Sequence, residues 1–242
     1  MDQNIFQQLL IIFKKKQPVR LLNTYQGVPI SYDAMIVDVT ANSVKMIVHK
    51  YQSVCLRLHK YTYFESPLLP GIIEASVVTI DPITNIAVLG EVQYSDDAIG
   101  KRMLVRAQPA ESIDVLLMNE SRTQRTKAQL MDVSFSGMAV SAPQLLFNVE
   151  VFRQNSTVYA QFNLPGDAQG KFNKVNVTGT IVNINLDKSK QVYRIGLRIF
   201  PDEIANPILV QYISRRQSEI MRDIRALYNK MLEVATGKGT AA

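Results

Sequence analysis

The sequence predicts an all-β protein built from two small β-barrels, with a short N-terminal helix and a longer C-terminal helix. Short runs of alternating apolar and polar residues recur along most of the 242 residues, and turn-forming residues separate them, a pattern typical of barrels and sandwiches. Helical periodicity is confined to the two ends of the chain. A chain of this length with 47% hydrophobic residues can form two domains of roughly 100 residues each.

The first domain is predicted to cover residues 1–94. Apolar residues at helical spacing between Ile5 and Phe13 indicate an amphipathic helix, which three lysines follow at the end where the helix dipole favours cations. We expect this helix to pack on the first barrel, although its basic pattern also permits attachment to a membrane surface. Strand-like runs follow at residues 35–39, 44–48, 73–80 and 85–92. The first two of these runs are predicted to form a hairpin.

The second domain is predicted to cover residues 107–236, after a linker at 95–106. Its strand-like runs lie at residues 113–118, 127–132, 138–141, 158–163, 175–184 and 192–200. This half repeats the β pattern, and we expect its plan to differ from that of the first half. A helix closes the chain, with Asn206 as its predicted N-cap and Pro207 in its first turn.

Charge and cysteine content indicate the partners and the compartment. The formal net charge is +6, from 27 Lys and Arg against 21 Asp and Glu, which favours an anionic partner. The single cysteine, Cys55, cannot form an internal disulfide, so we expect a reducing cytoplasm and interpret Cys55 as a small apolar residue. The apolar run near the N-terminus is too short to span a bilayer, and its cations follow it, unlike those of a secretory signal.

The sequence has none of the common catalytic signatures. We find no phosphate-binding glycine loop leading to a lysine, no nucleophile elbow and no metal-binding Cys or His pattern. His49 and His59 lie in alternating runs that indicate exposed strand faces rather than ligands or bases. The chain is therefore predicted to be a binding protein without catalytic residues, metal or cofactor.

Two motifs stand out at the head of the second domain. The first is Lys101-Arg102-Met103-Leu104-Val105-Arg106, and the second is Asp132-Val133-Ser134-Phe135-Ser136-Gly137, with 25 residues between them. Together and in this order they resemble the signature of the PilZ domain, Arg-x-x-x-Arg followed by Asp/Asn-x-Ser-x-x-Gly. The strand at 193–200 and the helix after it extend the resemblance over residues 101 to about 228.

The resemblance implies that the chain is a receptor for cyclic di-GMP. The residues that it implies for ligand binding are Lys101, Arg102, Arg106, Asp132, Ser134 and Gly137. In the family, the residue before the first arginine influences whether one or two ligand molecules are held, and the long cation at this position favours a stacked pair. The N-terminal half resembles, on length, β pattern and position, the accessory barrel of YcgR-type flagellar brake proteins.

The chemistry of these residue types suits such a ligand. Guanine presents O6 and N7 as paired acceptors for an arginine fork, and guanidinium groups also bind phosphate and stack on purines. Asp132 can accept from the N–H groups of guanine. Ser134 can donate to phosphate or to the turn backbone, and Gly137 allows either a positive φ or close approach of the ligand.

Other interpretations remain open from the sequence. The arginines could belong to a solvated linker, and the Asp-x-Ser segment could be a self-satisfied Asx-turn. A single-stranded nucleic-acid-binding barrel needs aromatic platforms, but the aromatic residues of the second domain lie mostly in strand positions and Trp is absent. A ligand-free PilZ adaptor is a further alternative. The protein partner could be a flagellar motor, secretion or synthase component or a transcription factor, with only indirect membrane contact.

The position of the arginines also predicts a mode of signalling. They directly follow the polar stretch 94–100, they repel each other, and the sequence shows no buried partner for them. We therefore expect residues 95–108 to be mobile in the free protein. Binding would order this segment and change the arrangement of the two domains.

Overall fold

The computed structural model describes residues 1–95, 105–166 and 170–237 and contains two closed six-stranded antiparallel barrels. The elements of the first are α1 (Gln3–Lys14), β1 (Val19–Tyr25), β2 (Val28–Val39), β3 (Ser43–Ile47), α2 (Lys50–His59), β4 (Tyr61–Glu65), β5 (Ile73–Asp81) and β6 (Ile86–Tyr94). Those of the second are β7 (Asp114–Asn119), β8 (Arg125–Val133), β9 (Gly137–Pro143), β10 (Thr157–Pro165), β11 (Phe172–Asp187) and β12 (Val192–Phe200). Helix α3 (Ala205–Ala235) closes the chain. The predicted fold class is confirmed.

The two barrels have the same strand order. The first runs β1-β2-β3-β6-β5-β4 and the second runs β7-β8-β9-β12-β11-β10, each closing on its first strand. The expectation that the second half follows a different plan is therefore wrong. The similarity escapes a reading of the sequence because strand order depends on pairing between distant segments, whereas alternation reports only local strand formation.

Each barrel has its own apolar core, formed by the inward-facing residues of its strands. In the first barrel, Ile5, Leu9 and Ile12 of α1 are buried in this core, so the predicted packing of the helix on the first barrel is confirmed. In the second barrel, strand residues are joined by Phe147 and Phe152 from the β9–β10 connection and by Leu209 and Ile213 of α3. Burial of such side chains supplies the main stabilisation of each barrel.

Helix α2 was not predicted from the sequence. His49 is its N-cap, since Nδ1 accepts a hydrogen bond from the backbone N–H of Tyr51. His59 lies in its last turn, and Lys60 ends it with a left-handed φ of 65°. The interpretation of both histidines as exposed strand faces is therefore wrong. The apolar residues of this segment alternate too poorly for a strand, and the middle of the helix, Gln52 to Leu56, is buried.

The start of α3 also differs from the prediction. The Oδ1 atom of Asp202 accepts hydrogen bonds from the N–H groups of Ile204 and Ala205, at 3.1 and 2.7 Å. Asp202 therefore caps the helix, and Asn206 already lies inside it. Both residue types are good caps, so composition could not decide between two candidates four residues apart.

The chain divides into two compact units. One contains the first barrel together with the chain from Ile220 onward, and the other contains the second barrel with α3 up to Glu219. The sequence prediction had assigned all of α3 to the second domain. In the described part of the chain, no helix has the length and apolar character needed to cross a membrane.

Candidate functional site

A β-bulge places Asp132 on the outside of the second barrel. In β8, Thr126, Ala128 and Leu130 are buried at alternate positions, so a regular strand would also direct residue 132 inward. The register with β9 shifts between Leu130 and Asp132, and the buried position moves to Val133. The extra residue thus turns a carboxylate outward at the end of the strand.

The turn after β8 is closed by Ser134. Its backbone N–H donates to the carbonyl of Gly137 at 2.7 Å, and its Oγ donates to the same oxygen at 3.0 Å. The side chain is buried, so of the two roles predicted for the hydroxyl, bonding to the turn backbone is the one that the structure contains. Ser134 therefore fixes the shape of the turn beside Asp132.

Arg106 reaches Asp132 from the segment that precedes β7. Its Nη1 lies 3.3 Å from Oδ1 of Asp132, and both side chains are part-exposed, at 38% and 20%. The next residue, Ala107, is buried and forms an antiparallel bridge with Val133, with N···O distances of 2.9 and 3.1 Å. Arg106 therefore has a part-exposed partner, Asp132, that the sequence analysis did not identify, and Ala107 is fixed to the end of β8.

Arg106 retains capacity to bind a ligand. Guanidinium carries five N–H donors, and among the described residues the side chain of Arg106 donates one hydrogen bond, to Asp132. An anionic or acceptor-rich ligand at this surface would therefore meet a guanidinium group that Asp132 already holds in position.

Gly137 is required for close packing rather than for an unusual backbone conformation. Its φ is not positive. A Cβ atom at this position would lie 3.2 Å from the carbonyl oxygen of Leu197 and 3.6 Å from Nη2 of Arg106. A side chain here would press on β12, so the glycine is explained by packing within the barrel, and close approach of a ligand stays a prediction.

A row of small residues beside Asp132 was missed by the sequence reading. Asp132 pairs with Ala139, Ala139 pairs with Gly196, and Gly196 pairs with Asn183, across four neighbouring strands. The Oδ1 atom of Asn183 accepts the N–H of Gly196 at 2.9 Å. The Asn183 side chain occupies the space that a Cβ atom at Gly196 would fill, so this glycine is required by packing between neighbouring strands. Ala139 is thus the small residue next to the carboxylate, which only the strand register reveals.

Lys101 and Arg102, the other predicted ligand residues, lie outside the described residues. Of the charged residues predicted to bind the ligand, the structure therefore describes Arg106 and Asp132. No group of three or more His, Cys, Asp or Glu residues in the described ranges is arranged to hold a metal ion. Cys55 is fully buried in α2, and burial raises the pKa of its thiol to about 12.

The first barrel contains an equivalent turn. The register of β2 with β3 shifts between Ile36 and Asp38, as that of β8 shifts before Asp132. Thr40 takes the place of Ser134: its N–H and Oγ1 donate to the carbonyl of Ser43, at 2.9 and 3.3 Å. Asp38 forms no ion pair with any residue in the described ranges. The two barrels differ in the segment before their first strand. This segment contains helix α1 in the first barrel and Arg106 with its neighbours in the second.

Comparison with known proteins identifies the second barrel. Residues 101–215 match the family model of the PilZ domain. The second barrel, with its bulged Asp-x-Ser-x-x-Gly turn and its adjacent arginine, therefore matches the PilZ domain, and the resemblance predicted from the motifs is confirmed. No curated protein sequence matched the chain.

Several solved structures resemble the whole chain at low sequence identity. The motility inhibitor MotI/DgrA of Bacillus subtilis is 14% identical, with 84% of this chain and 97% of that chain covered and a TM-score of 0.42. YcgR from Escherichia coli in complex with c-di-GMP is 12% identical, with 94% and 92% covered and a TM-score of 0.40. The MrkH–c-di-GMP complex of K. pneumonia is 12% identical, with 98% and 95% covered and a TM-score of 0.37.

Proposed function

We propose that this protein is a receptor for cyclic di-GMP that binds the messenger on the outer surface of its PilZ barrel, without converting it. The observation that carries the proposal is the contact of Arg106 with Asp132 beside a turn closed by Ser134, within a region that matches the PilZ domain. Arg106 and Asp132 are thus part-exposed side by side, and the buried Ser134 and Gly137 belong to the turn next to them.

The chemistry of this surface matches the two parts of a guanine nucleotide. The free N–H groups of Arg106 suit the O6 and N7 acceptors of guanine or a phosphate oxygen. Asp132 accepts hydrogen bonds, which suits the N–H groups on the opposite edge of the base. The small side chain of Ala139, which pairs with Asp132, would leave a planar purine room beside the carboxylate.

The remaining cations complete the proposed site. Arg102 would provide the second guanidinium and Lys101 an additional cation, which together with Arg106 would offset the phosphate charges. A stacked pair of ligand molecules is the stoichiometry that this charge favours. The overall charge of +6 would also attract the dianionic messenger over distances of about a Debye length.

Binding is proposed to act through the connection between the two barrels. Arg106 lies one residue before Ala107, which is anchored to β8, so a ligand held by the arginines would constrain the segment leading back to the first barrel. The resulting change in domain arrangement would be read by a cytoplasmic partner in motility, secretion or biofilm formation. Small-angle scattering and hydrogen exchange of residues 95–108, with and without ligand, test this step; two unchanged measurements would contradict it.

Calorimetric titration of the purified chain with cyclic di-GMP tests the receptor assignment itself. We expect saturable binding, with one or two ligand molecules per chain, and recovery of intact ligand afterwards. Arg106→Ala and Arg102→Ala should each weaken binding by about 1 to 3 kcal/mol. Arg125→Ala, which removes an exposed arginine at the start of β8, is the matched control and should bind as the parent does. Undiminished affinity in both test variants would remove the proposed site.

A further inference from the structure

The connection between β9 and β10 presents apolar side chains to solvent. Leu145 is 96% exposed and Leu146 60% exposed, in a short 3₁₀ helix, Gln144–Leu146, and Val149 nearby is also exposed. We call these three residues the leucine tip. Adjacent leucines with most of their side chains in water are unusual, and clustered exposed apolar residues of this kind mark an interaction site.

The leucine tip is held in place by the barrel. Phe147 and Phe152, on either side of Val149, are buried and stack with ring centroids 5.3 Å apart. The carbonyl of Leu146 accepts a hydrogen bond from Oγ1 of Thr126 at 3.0 Å, and the N–H of Gln144 donates to the carbonyl of Gln191 at 2.9 Å. The exposure of the tip is thus a fixed feature of the connection and not the fraying of a loop.

The fold does not need leucines at this position. In the first barrel the corresponding connection, between the third and fourth strands, is α2, which buries Val54, Cys55 and Leu56. In the second barrel the corresponding burial is provided by Phe147 and Phe152 alone. The leucine tip is therefore additional to what closes the barrel.

The tip lies at the end of the barrel opposite the ligand motif. The antiparallel strands place the β7–β8 turn, the β9–β10 connection and the β11–β12 turn at one end, and the β8–β9 turn with its Asp132 motif at the other. Charged residues of these three connections and their flanking positions, within the described ranges, are mostly basic: Arg122, Arg125, Arg153, Lys188 and Lys190, against Glu120, Glu150 and Asp187. The Oδ1 atom of Asp187 is already bonded to the N–H groups of Ser189 and Lys190.

We propose that this end of the PilZ barrel docks on an anionic membrane surface, with the leucine tip inserted at the level of the headgroups. The tip is a protrusion rather than a groove, which suits insertion into a deformable layer. Cations on the surrounding turns would meet acidic headgroups while the leucines enter the apolar boundary, the combination by which peripheral proteins bind reversibly to membranes. The nucleotide surface at the other end of the barrel would stay open to solution.

Co-sedimentation with vesicles tests the proposal on the full chain. We expect the parent protein to sediment with vesicles of phosphatidylcholine and phosphatidylglycerol in equal parts, and to remain in solution with phosphatidylcholine alone. The double variant L145S/L146S should lower the partition coefficient about tenfold or more, because two apolar side chains no longer enter the layer. K188E/K190E should lower it on the acidic vesicles, and added salt should weaken the binding of the parent.

Ile204→Ser is the matched control, since Ile204 is a 75% exposed aliphatic residue at the opposite end of the barrel. It should leave vesicle binding unchanged. Equal thermal melting midpoints for parent and variants would show that the substitutions act on binding and not on folding. Failure of the parent to bind acidic vesicles, or equal binding by L145S/L146S, would overturn membrane docking and assign the tip to a protein partner instead.

Discussion

The Nη1 atom of Arg106 lies 3.3 Å from the Oδ1 atom of Asp132, on the outer surface of the second barrel. The pair joins two halves of a motif that are 26 residues apart in the chain. Because both side chains remain in contact with water, the pair orients the groups more than it stabilises the fold.

We therefore expect a substitution in this pair to weaken ligand binding while it changes the stability of the fold only slightly. Asp132→Ala should change the free energy of unfolding by less than about 1 kcal/mol, because partly exposed ion pairs contribute little. The same variant should weaken cyclic di-GMP binding by about 1 to 3 kcal/mol, since an acceptor for guanine is lost. Urea denaturation and calorimetry measure the two quantities. A large loss of stability with unchanged affinity would show the pair to be structural instead.

The packing at Gly137 predicts a second effect. In Gly137→Ala the new methyl group would lie 3.2 Å from the carbonyl oxygen of Leu197, so β12 or the turn must shift by a few tenths of an ångström. We expect a loss of stability of about 1 kcal/mol, because the strand or the turn must give way at the Leu197 carbonyl. Gly71→Ala serves as the control, since its Cβ would meet only the Tyr94 ring, with Cδ1 at 3.5 Å and Cε1 at 3.9 Å, which are ordinary contacts. Equal melting midpoints for the two variants would contradict the prediction.

The two candidate caps of α3 can be separated by substitution. Asp202→Ala removes the acceptor for the N–H groups of Ile204 and Ala205 and should cost about 0.5 to 2 kcal/mol of stability. Asn206→Ala, at an exposed position within the helix, should be neutral or slightly stabilising, because alanine is the better helix former. Urea titration of both variants provides the comparison. The reverse order of effects would restore Asn206 as the cap.

His49 predicts a dependence of stability on pH. Burial, with a smaller effect from Lys50, lowers the pKa of His49 from its ordinary value of 6.5. The unfolded chain then binds more protons than the folded one, so this contribution is fully present above pH 6.5 and is lost as the pH falls toward the lowered pKa. Protonation of Nδ1 also removes the acceptor for the N–H of Tyr51.

Thermal melts between pH 7 and pH 5 test this prediction. His49→Asn keeps a side chain that can cap the helix but does not titrate, so its melting midpoint should fall less on acidification than that of the parent. Burial also lowers the pKa of His59, so part of the dependence should persist in the variant. An identical slope in parent and variant would exclude a contribution from His49.

The sequence predicted all six strands of the second barrel and four of the six of the first, because alternation of apolar residues is a local signal; β1 and β4 were missed. It also predicted the motif residues, since the two halves of the motif are separately visible. It could not predict that Asp132 faces outward, because strict alternation after Leu130 directs residue 132 into the core and only the bulge reverses it. The small residues Ala139 and Gly196 were missed for a related reason, since their place beside Asp132 depends on the pairing of strands that are distant in the chain.

The equivalent turns around Asp38 and Asp132 bear on how such a chain can gain or lose sensitivity to a messenger. A bulge that directs an acidic residue outward, and a hydroxyl side chain that closes the following turn, occur in both barrels. The difference lies in what precedes the first strand, which is α1 in one barrel and the segment with Arg106 in the other. Evolution, or a protein engineer, could therefore change ligand recognition by altering the segment ahead of a barrel, while the barrel itself is inherited intact.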